Sequence, residues 1–375
     1  INFVTTTTMA TIKCIFILLC LISTFFARTR IGRRCYHKQK QTVGVCTLSI
    51  NCSSAFEDFI SGILPQKCGF SRNLLCCVEK KVGEKSREMC KKYEDLGFIK
   101  EKPPTLAYDD ELVRSSICPY DEDGLPIIYG GEEAKAGEFP HMALIGYGIN
   151  EKKWKCGGSL ISDRYVLSAG HCLSDKEFGP AAIVRLGDLN YTNPNDDIYV
   201  QEIPIIKTHK YPYYKYPVTY HDIAIFELEY PTNLSIYVKP ICLYNEEKIP
   251  PGQVLAVGWG DTEKAEKGEN DMLMKVGLDV IDEKTCSKTF GKNVRAFPKG
   301  LDDHTQVCAG STKEAKDTCQ GDSGGPIQIR NKEVACSYYI LGITSHGKGC
   351  GFKLPSVYIR IYPYIQWIES IIYEK

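Results

Sequence analysis

The sequence predicts a mainly β fold, barrel or sandwich, for the greater part of this 375-residue chain, on three observations. From Ile128 onward, short runs rich in Val, Ile and Tyr recur: Met142–Tyr147, Ser159–Leu167, Ala182–Leu186, Ile223–Leu228, Val254–Val257 and Tyr338–Ser345. Gly, Pro, Asn and Asp separate them, as in a sheet protein that turns its chain often. Only Tyr362–Tyr373 spaces its apolar residues as a helix does, and it is read as a C-terminal helix.

The part before Ile128 is organised differently. The chain begins at Ile1 and its first methionine is Met9, so residues 1–8 are read as untranslated leader. Lys13 then precedes the apolar run Ile15–Ile22, which extends to Ala27, and residues 9–27 are read as a secretory signal peptide. The run is shorter than the about 20 apolar residues of a membrane anchor, and Ser23 and Thr24 interrupt it. Of 18 cysteines, Cys14 and Cys20 lie within it, which leaves 16 in the mature chain. An even number in an exported protein points to disulfides. Six of them, Cys35, Cys46, Cys52, Cys68, Cys76 and Cys77, crowd one short segment. So short a segment buries little core, and three bridges would have to hold it. Residues 78–127 carry Lys102-Pro103-Pro104 and the acidic Tyr108–Glu111, and are expected to be an irregular, exposed linker. Sequons at Asn51, Asn190 and Asn233 fit glycosylation along an export route. With 46 basic against 46 acidic residues, the chain has no footprint for nucleic acid or a membrane surface.

The chemistry concentrates in three places. Residues 317–326 read Asp-Thr-Cys-Gln-Gly-Asp-Ser-Gly-Gly-Pro, which sets a small nucleophile, Ser323, among glycines. Backbone N–H groups at Gly321 and Ser323 could stabilise an oxyanion. A hydroxyl is inert until a base takes its proton. His171 in Ser-Ala-Gly-His-Cys and Asp222 in His-Asp-Ile-Ala-Ile supply the base and its orienting acid. Any one of the three is as readily structural; together, in the order His, Asp, Ser, they specify nucleophilic catalysis.

These motifs carry a resemblance. With Gly157-Gly158-Ser159-Leu160-Ile161 and Gly258-Trp259-Gly260 added, Ile128–Lys375 resembles the trypsin/chymotrypsin family of serine proteases. The Cys35–Cys77 segment, ending in a Cys-Cys pair, resembles an arthropod clip domain. Leu125-Pro126-Ile127 and the stretch Ala335–Ser345 make the chain similar to the snake-like group of clip proteases. The resemblance implies a double β-barrel with a C-terminal helix behind a small disulfide-rich domain. It implies pairs Cys35–Cys76, Cys46–Cys68, Cys52–Cys77, Cys156–Cys172, Cys286–Cys308, Cys319–Cys350 and Cys118–Cys242. Cys90 and Cys336 are left over and are paired with each other.

The same resemblance assigns roles. Asp317 would form the base of the S1 pocket and select Arg or Lys, with Ser345 also binding substrate, His346 and Ser356 at its walls, and Gly347 and Gly349 keeping its entrance open. His346 stands where the family usually has Trp, and Ser356 where it has Gly. Cleavage of Ile127–Ile128 would free an ammonium that pairs with Asp322 and organises the oxyanion hole, with Tyr129 in place of the usual Val. Because Ile127 is not basic, an enzyme of Arg/Lys specificity would not activate itself. An upstream protease preferring apolar residues is expected, along with a downstream zymogen as substrate and a serpin-type inhibitor. No cofactor is expected. Asp188, Asp196 and Asp197 share a loop that offers oxygen ligands to calcium, although such surface acids are usually only solvated. The overall expectation is a secreted, extracellular zymogen, in hemolymph, acting in an immune or developmental cascade. A venom or digestive protease and a non-catalytic clip homologue acting as a binding cofactor are the alternatives.

Overall fold

A computed structural model describes residues 31–39, 42–52, 63–69, 73–78, 82–101, 113–116, 118, 131–148, 151–195, 197–260, 271–291, 295–311, 321–332, 334, 337–347 and 354–373. It divides into two compact units, Ile1–Lys81 and Val82–Lys375.

In the first unit, β1 (Arg34–His37), β2 (Thr42–Leu48) and β3 (Leu74–Cys77) form an antiparallel sheet in that order. Bridges Cys35–Cys76, Cys46–Cys68 and Cys52–Cys77 match the implied pattern. Cys46, Cys68, Cys76 and Leu74 are its buried centre, so here sulfur takes the place of an aliphatic core.

The second unit opens with α1 (Glu84–Lys92) and a hairpin of β4 (Phe98–Glu101) and β5 (Val113–Ser116). An irregular linker was expected there. A nine-residue polar helix is marginal alone, and a distant acid supports it. The Glu369 carboxylate accepts from the N–H groups of Gly83 (3.3 Å) and Ser86 (2.8 Å) and from Ser86 Oγ (2.9 Å). These bonds satisfy donors of the first turn and place negative charge at the positive end of the helix. Lys91 and Lys92 complement the other end.

The disulfides here correct the expected pattern. Cys90, on the buried side of α1, is bridged to Cys242. Neither Cys118–Cys242 nor Cys90–Cys336 therefore holds. Val334 packs with Cys90 and Cys242 in one small cluster, which shows α1 seated against this part of the protease. Cys118 is also disulfide-bonded, to a partner that is not among the described cysteines. Cys319, Cys336 and Cys350 lie outside the described residues.

The first barrel follows a short strand, β6 (Glu132–Glu133). It comprises β7 (Met142–Tyr147), β8 (Lys153–Leu160), β9 (Tyr165–Ser168), β11 (Gly179–Leu186), β12 (Gln201–Lys210) and β13 (Ala224–Leu228), with β10 (Ser174–Asp175) at the edge of β11. β11 pairs with both β12 and β7, which closes the ring. The predicted run Ser159–Leu167 is broken by a turn in which the N–H of Ile161 donates to Tyr165 O at 2.9 Å. β14 (Cys242–Leu243) leads to the second barrel: β15 (Gln253–Gly258), β16 (Met274–Ile281), β17 (Gln306–Gly310), β18 (Pro326–Arg330), β19 (Tyr338–His346) and β20 (Ser356–Arg360). β19 pairs with β18 and β20 and closes it. Val166, Ile145, Val184 and Phe226 fill the first interior, and Ala256, Leu278, Ile327 and Tyr358 the second.

An unpredicted helix, α2 (Glu283–Phe290), starts where the Asp282 carboxylate accepts from the Thr285 N–H at 2.9 Å. The expected terminal helix is present as α3 (Ile365–Ile372), buried at Ile365 and Ile368. No helix among the described residues is long and apolar enough to cross a membrane.

Candidate active site

Strand pairing sets the distance between His171 and Asp222. Ala224 of β13 lies opposite Ser168 of β9, so the chain leaving β9 and the chain entering β13 run side by side at one barrel end. His171 occupies a 3-10 turn, Gly170–Leu173, just beyond β9. The Cys156–Cys172 bridge ties that turn to β8. His221, just before the acid, takes the left-handed conformation (φ 57°), which turns the chain into β13.

Asp222 is fully enclosed and receives three bonds. The His171 N–H donates to Oδ1 at 2.7 Å, Nδ1 lies 2.8 Å from Oδ2, and Ser345 Oγ donates to Oδ2 at 2.6 Å. Burial by itself would raise the Asp222 pKa; the imidazole and the donated hydrogen bonds outweigh it and hold the carboxyl below its ordinary value. Burial likewise works against charge on His171, but the Asp222 carboxylate prevails and the imidazole pKa is raised. With Nδ1 committed to the acid, Nε2 is the atom left to accept a proton.

Ser323 sits in the turn that enters β18. Its carbonyl accepts from the Gly157 N–H of β8 at 2.8 Å and lies 3.7 Å from the Cys172 sulfur, one residue beyond His171. The turn is held from the other side too, by Gly324 N–H to Thr344 O and Thr344 N–H to Gly325 O, both 2.9 Å. Gly324 has φ +80°, and a Cβ there would come 2.0 Å from Ser168 Oγ, so only glycine lets the two barrels meet at this point. Gly321 packs on Gly260, and the Asp322 carboxylate accepts from the Gly260 N–H at 2.9 Å.

The structure thus brings together the His171, Asp222 and Ser323 segments. Ser345, expected to bind substrate, borders the cleft beside His171 and donates its hydroxyl to Asp222. Ser356 is buried in β20 beneath Gly347. His346 fills the place of the usual indole by packing edge-on against Phe297 and Phe290, at 5.3 and 6.0 Å between ring centroids. Asp317, Gly349, Ile127, Ile128 and Tyr129 lie outside the described residues. Asn51 and Asn233 are exposed, and Asn190 is half-buried. Tyr214, which sequence reasoning missed, lies next to this site, where burial and the Asp222 charge push its phenol pKa upward.

Of the acids considered for calcium, Asp188 is held by Arg185 Nε. Arg185 also reaches Glu202 at 2.9 Å, and Lys152 pairs with the same carboxylate. A guanidinium already neutralises this corner, so these side chains do not fit a calcium cage. Asp196 lies outside the described residues. Cys156, His171 and Cys172 also lie close together, but both sulfurs are consumed in a disulfide.

Residues 128–368 match the Trypsin family model. The chain is 40% identical over 260 residues to serine protease snk of Drosophila melanogaster, covering 67% of this chain and 58% of that one. It is 34% identical over 283 residues to phenoloxidase-activating factor 3 of Holotrichia diomphalia, covering 71% and 78%. Mouse neuropsin superposes with a TM-score of 0.53 at 28% identity, covering 64% of this chain and 98% of that one. Against serine protease Hayan of Drosophila melanogaster the match spans only 42% of the relative's length, so this chain corresponds to part of the longer relatives. The chain belongs to the trypsin family of serine endopeptidases, and within it to the arthropod clip-domain proteases of the snake-like group. Such proteases work without a cofactor.

Proposed function

We propose that the protein is the secreted zymogen of an endopeptidase that cleaves after Arg or Lys and activates another zymogen. The observation that carries this reading is the His171 Nδ1–Asp222 Oδ2 pair at 2.8 Å, beside a Ser323 turn locked to β8 and β19. Ser323 Oγ attacks the substrate carbonyl while His171 Nε2 takes its proton and later returns it to the leaving amine. Asp222 fixes the imidazole and stabilises its charged form. The N–H groups of Gly321 and Ser323 receive the oxyanion. Asp317 pairs with the basic side chain of the substrate.

In this reading residues 9–27 direct export and are removed, 35–77 form the clip domain, 78–127 the light chain and 128–375 the peptidase. A cut at Ile127–Ile128 by a protease preferring apolar residues frees the ammonium that Asp322 receives. Cys118 pairs with Cys336, since Cys242 is taken and Cys319–Cys350 is the family bridge of the S1 region. Asn51, Asn190 and Asn233 are the glycosylation sites, and a serpin-type inhibitor ends the activity in the extracellular fluid. The relatives' printed names, among them a phenoloxidase-activating factor, support a place in a proteolytic cascade. A venom protease is the second reading, favoured by the match to Bi-VSP of Bombus ignitus, 33% identical and spanning 79% of that protein.

The test is hydrolysis of an Arg-containing peptide amide before and after cleavage at Ile127, with Ser323→Ala alongside. Activity should appear only after cleavage, and the variant should lose about 10^6-fold in kcat. Equal turnover by Ser323→Ala, or preference for Leu or Phe, removes this reading.

A further inference from the structure

We propose that a second cavity, beside the catalytic cleft but walled off from it, docks an acidic segment of the protein substrate. This rests on the endopeptidase reading and names how its substrate is chosen. Two hollows flank the segment 213–222. One, of about 400 Å³, is the cleft at His171, with Tyr216, Thr219 and His346 in its lining. The other, of about 520 Å³, lies between that segment and residues 298–302 and presents Lys215, Lys299, Tyr213, Tyr220 and Asp302. Val218 borders both.

The partition between them is hydrogen-bonded. The N–H and Oγ1 of Thr219 donate to Ala296 O at 3.1 and 3.0 Å. Tyr220 OH donates to Gly300 O and accepts from the Lys299 N–H at 3.0 Å. The second hollow is therefore a fixed feature and not an extension of the cleft.

Its chemistry selects the occupant. Lys215 and Lys299 are exposed, and neither has an ion-pair partner among the described residues. Asp302, the acid in the lining, is engaged within its own turn, accepting from Thr305 Oγ1 at 2.6 Å and from the His304 N–H at 3.2 Å. The same lining carries Val218, Pro298, Leu301 and the ring of Tyr213, which is 70% exposed. Two cations with no ion-pair partner among the described residues, in one lining with these apolar side chains, are complementary to a polypeptide that carries carboxylates beside an apolar side chain. Because Val218 belongs to both hollows, a chain threaded through the cleft has its flanking residues within reach of the second. Such a contact would favour one protein substrate over others without altering hydrolysis of short peptides.

A fluorescein-labelled Glu-Asp-Phe-Glu-Asp-Leu peptide tests this by anisotropy on the full-length, cleaved protein at low and high salt. Wild type should bind it and release it as salt rises. Lys215→Glu/Lys299→Glu should weaken binding about tenfold or more, as expected for two exposed charge contacts turned repulsive. The same variant should keep kcat/KM on a short Arg-peptide amide, which also shows that it is folded. Lys215→Ala/Lys299→Ala should fall between. Equal affinity in wild type and the charge-reversed protein overturns the inference. So does displacement of the probe by an arginyl chloromethyl ketone bound in the cleft, or tighter binding of a sulfated oligosaccharide through the same lysines. If the probe binds while Arg-peptides are not cleaved, the endopeptidase reading fails and the docking site stands.

Discussion

His141, one residue ahead of β7, and His171, just beyond β9, belong to the same barrel and respond oppositely to enclosure. His141 is 1% exposed and lies against Phe139 and Tyr338. Burial, aided by the nearby Lys239 charge, pushes its pKa down to about 3. The side chain of His171 is 26% exposed, and its pKa rises instead, because the Asp222 carboxylate outweighs desolvation. A histidine in an apolar shell is a neutral filler; the same ring beside a buried carboxylate can hold a proton in transit. The catalytic capacity of this barrel therefore lies in the pair and its supports more than in the imidazole.

The most severe way to break the contrast is Asp222→Asn, which leaves His171 with burial and no compensating charge. We expect about 10^4-fold loss of kcat, since the tautomer is no longer fixed. In wild type the base must be neutral, so activity falls as pH drops through the raised His171 pKa, and the acid limb lies above the ordinary 6.5. In the variant that limb should move below 6.5, and an unmoved limb in the pH–rate profile would contradict the account. Next comes Ser345→Ala, which removes the 2.6 Å donor to Asp222. Loss of a hydrogen bond to a charged group should cost about 10- to 100-fold in kcat/KM, seen mainly in kcat. A change confined to KM would show that Ser345 acts on substrate binding alone and not through Asp222.

His141→Phe has the smallest effect on activity, and its consequence appears in stability instead. The unfolded histidine titrates near 6.5 and the buried one near 3, so below 6.5 the unfolded chain binds a proton that the native protein refuses. Stability contributed by this site is thus intact above 6.5 and falls by about 1.4 kcal/mol per pH unit as pH drops toward 3. Denaturant melts of His141→Phe across that window should be flatter than wild type by that slope. Parallel curves would show that another group governs acid sensitivity.

The triad segments and the barrel strands around them were legible because each is encoded locally, in a motif or an apolar run with turn residues at its ends, whereas the clip bridges were known only through the resemblance that the cysteine pattern carries. Strands β12, β16 to β18 and β20 were not read, because much of β12 is polar at its surface and the others have only short or interrupted apolar runs. α1 escaped notice because its support, Glu369, is supplied from the far end of the chain. The Cys90–Cys242 bridge was misassigned for a related reason: pairing depends on which cysteine the folded segment around α1 delivers to β14, and spacing does not record that. Ser345 was named as substrate-binding by resemblance, but its hydroxyl bond to Asp222 was not read, because it depends on β19 reaching across to the other barrel.

That bridge has an experimental consequence. Any single scission between residues 91 and 241 leaves the two pieces joined through the cystine, so cut and uncut molecules run alike on a gel until a reductant is added. Samples compared only under oxidising conditions would look unprocessed however complete the cleavage. Whatever the amino-terminal piece adheres to would hold the carboxy-terminal piece there as well.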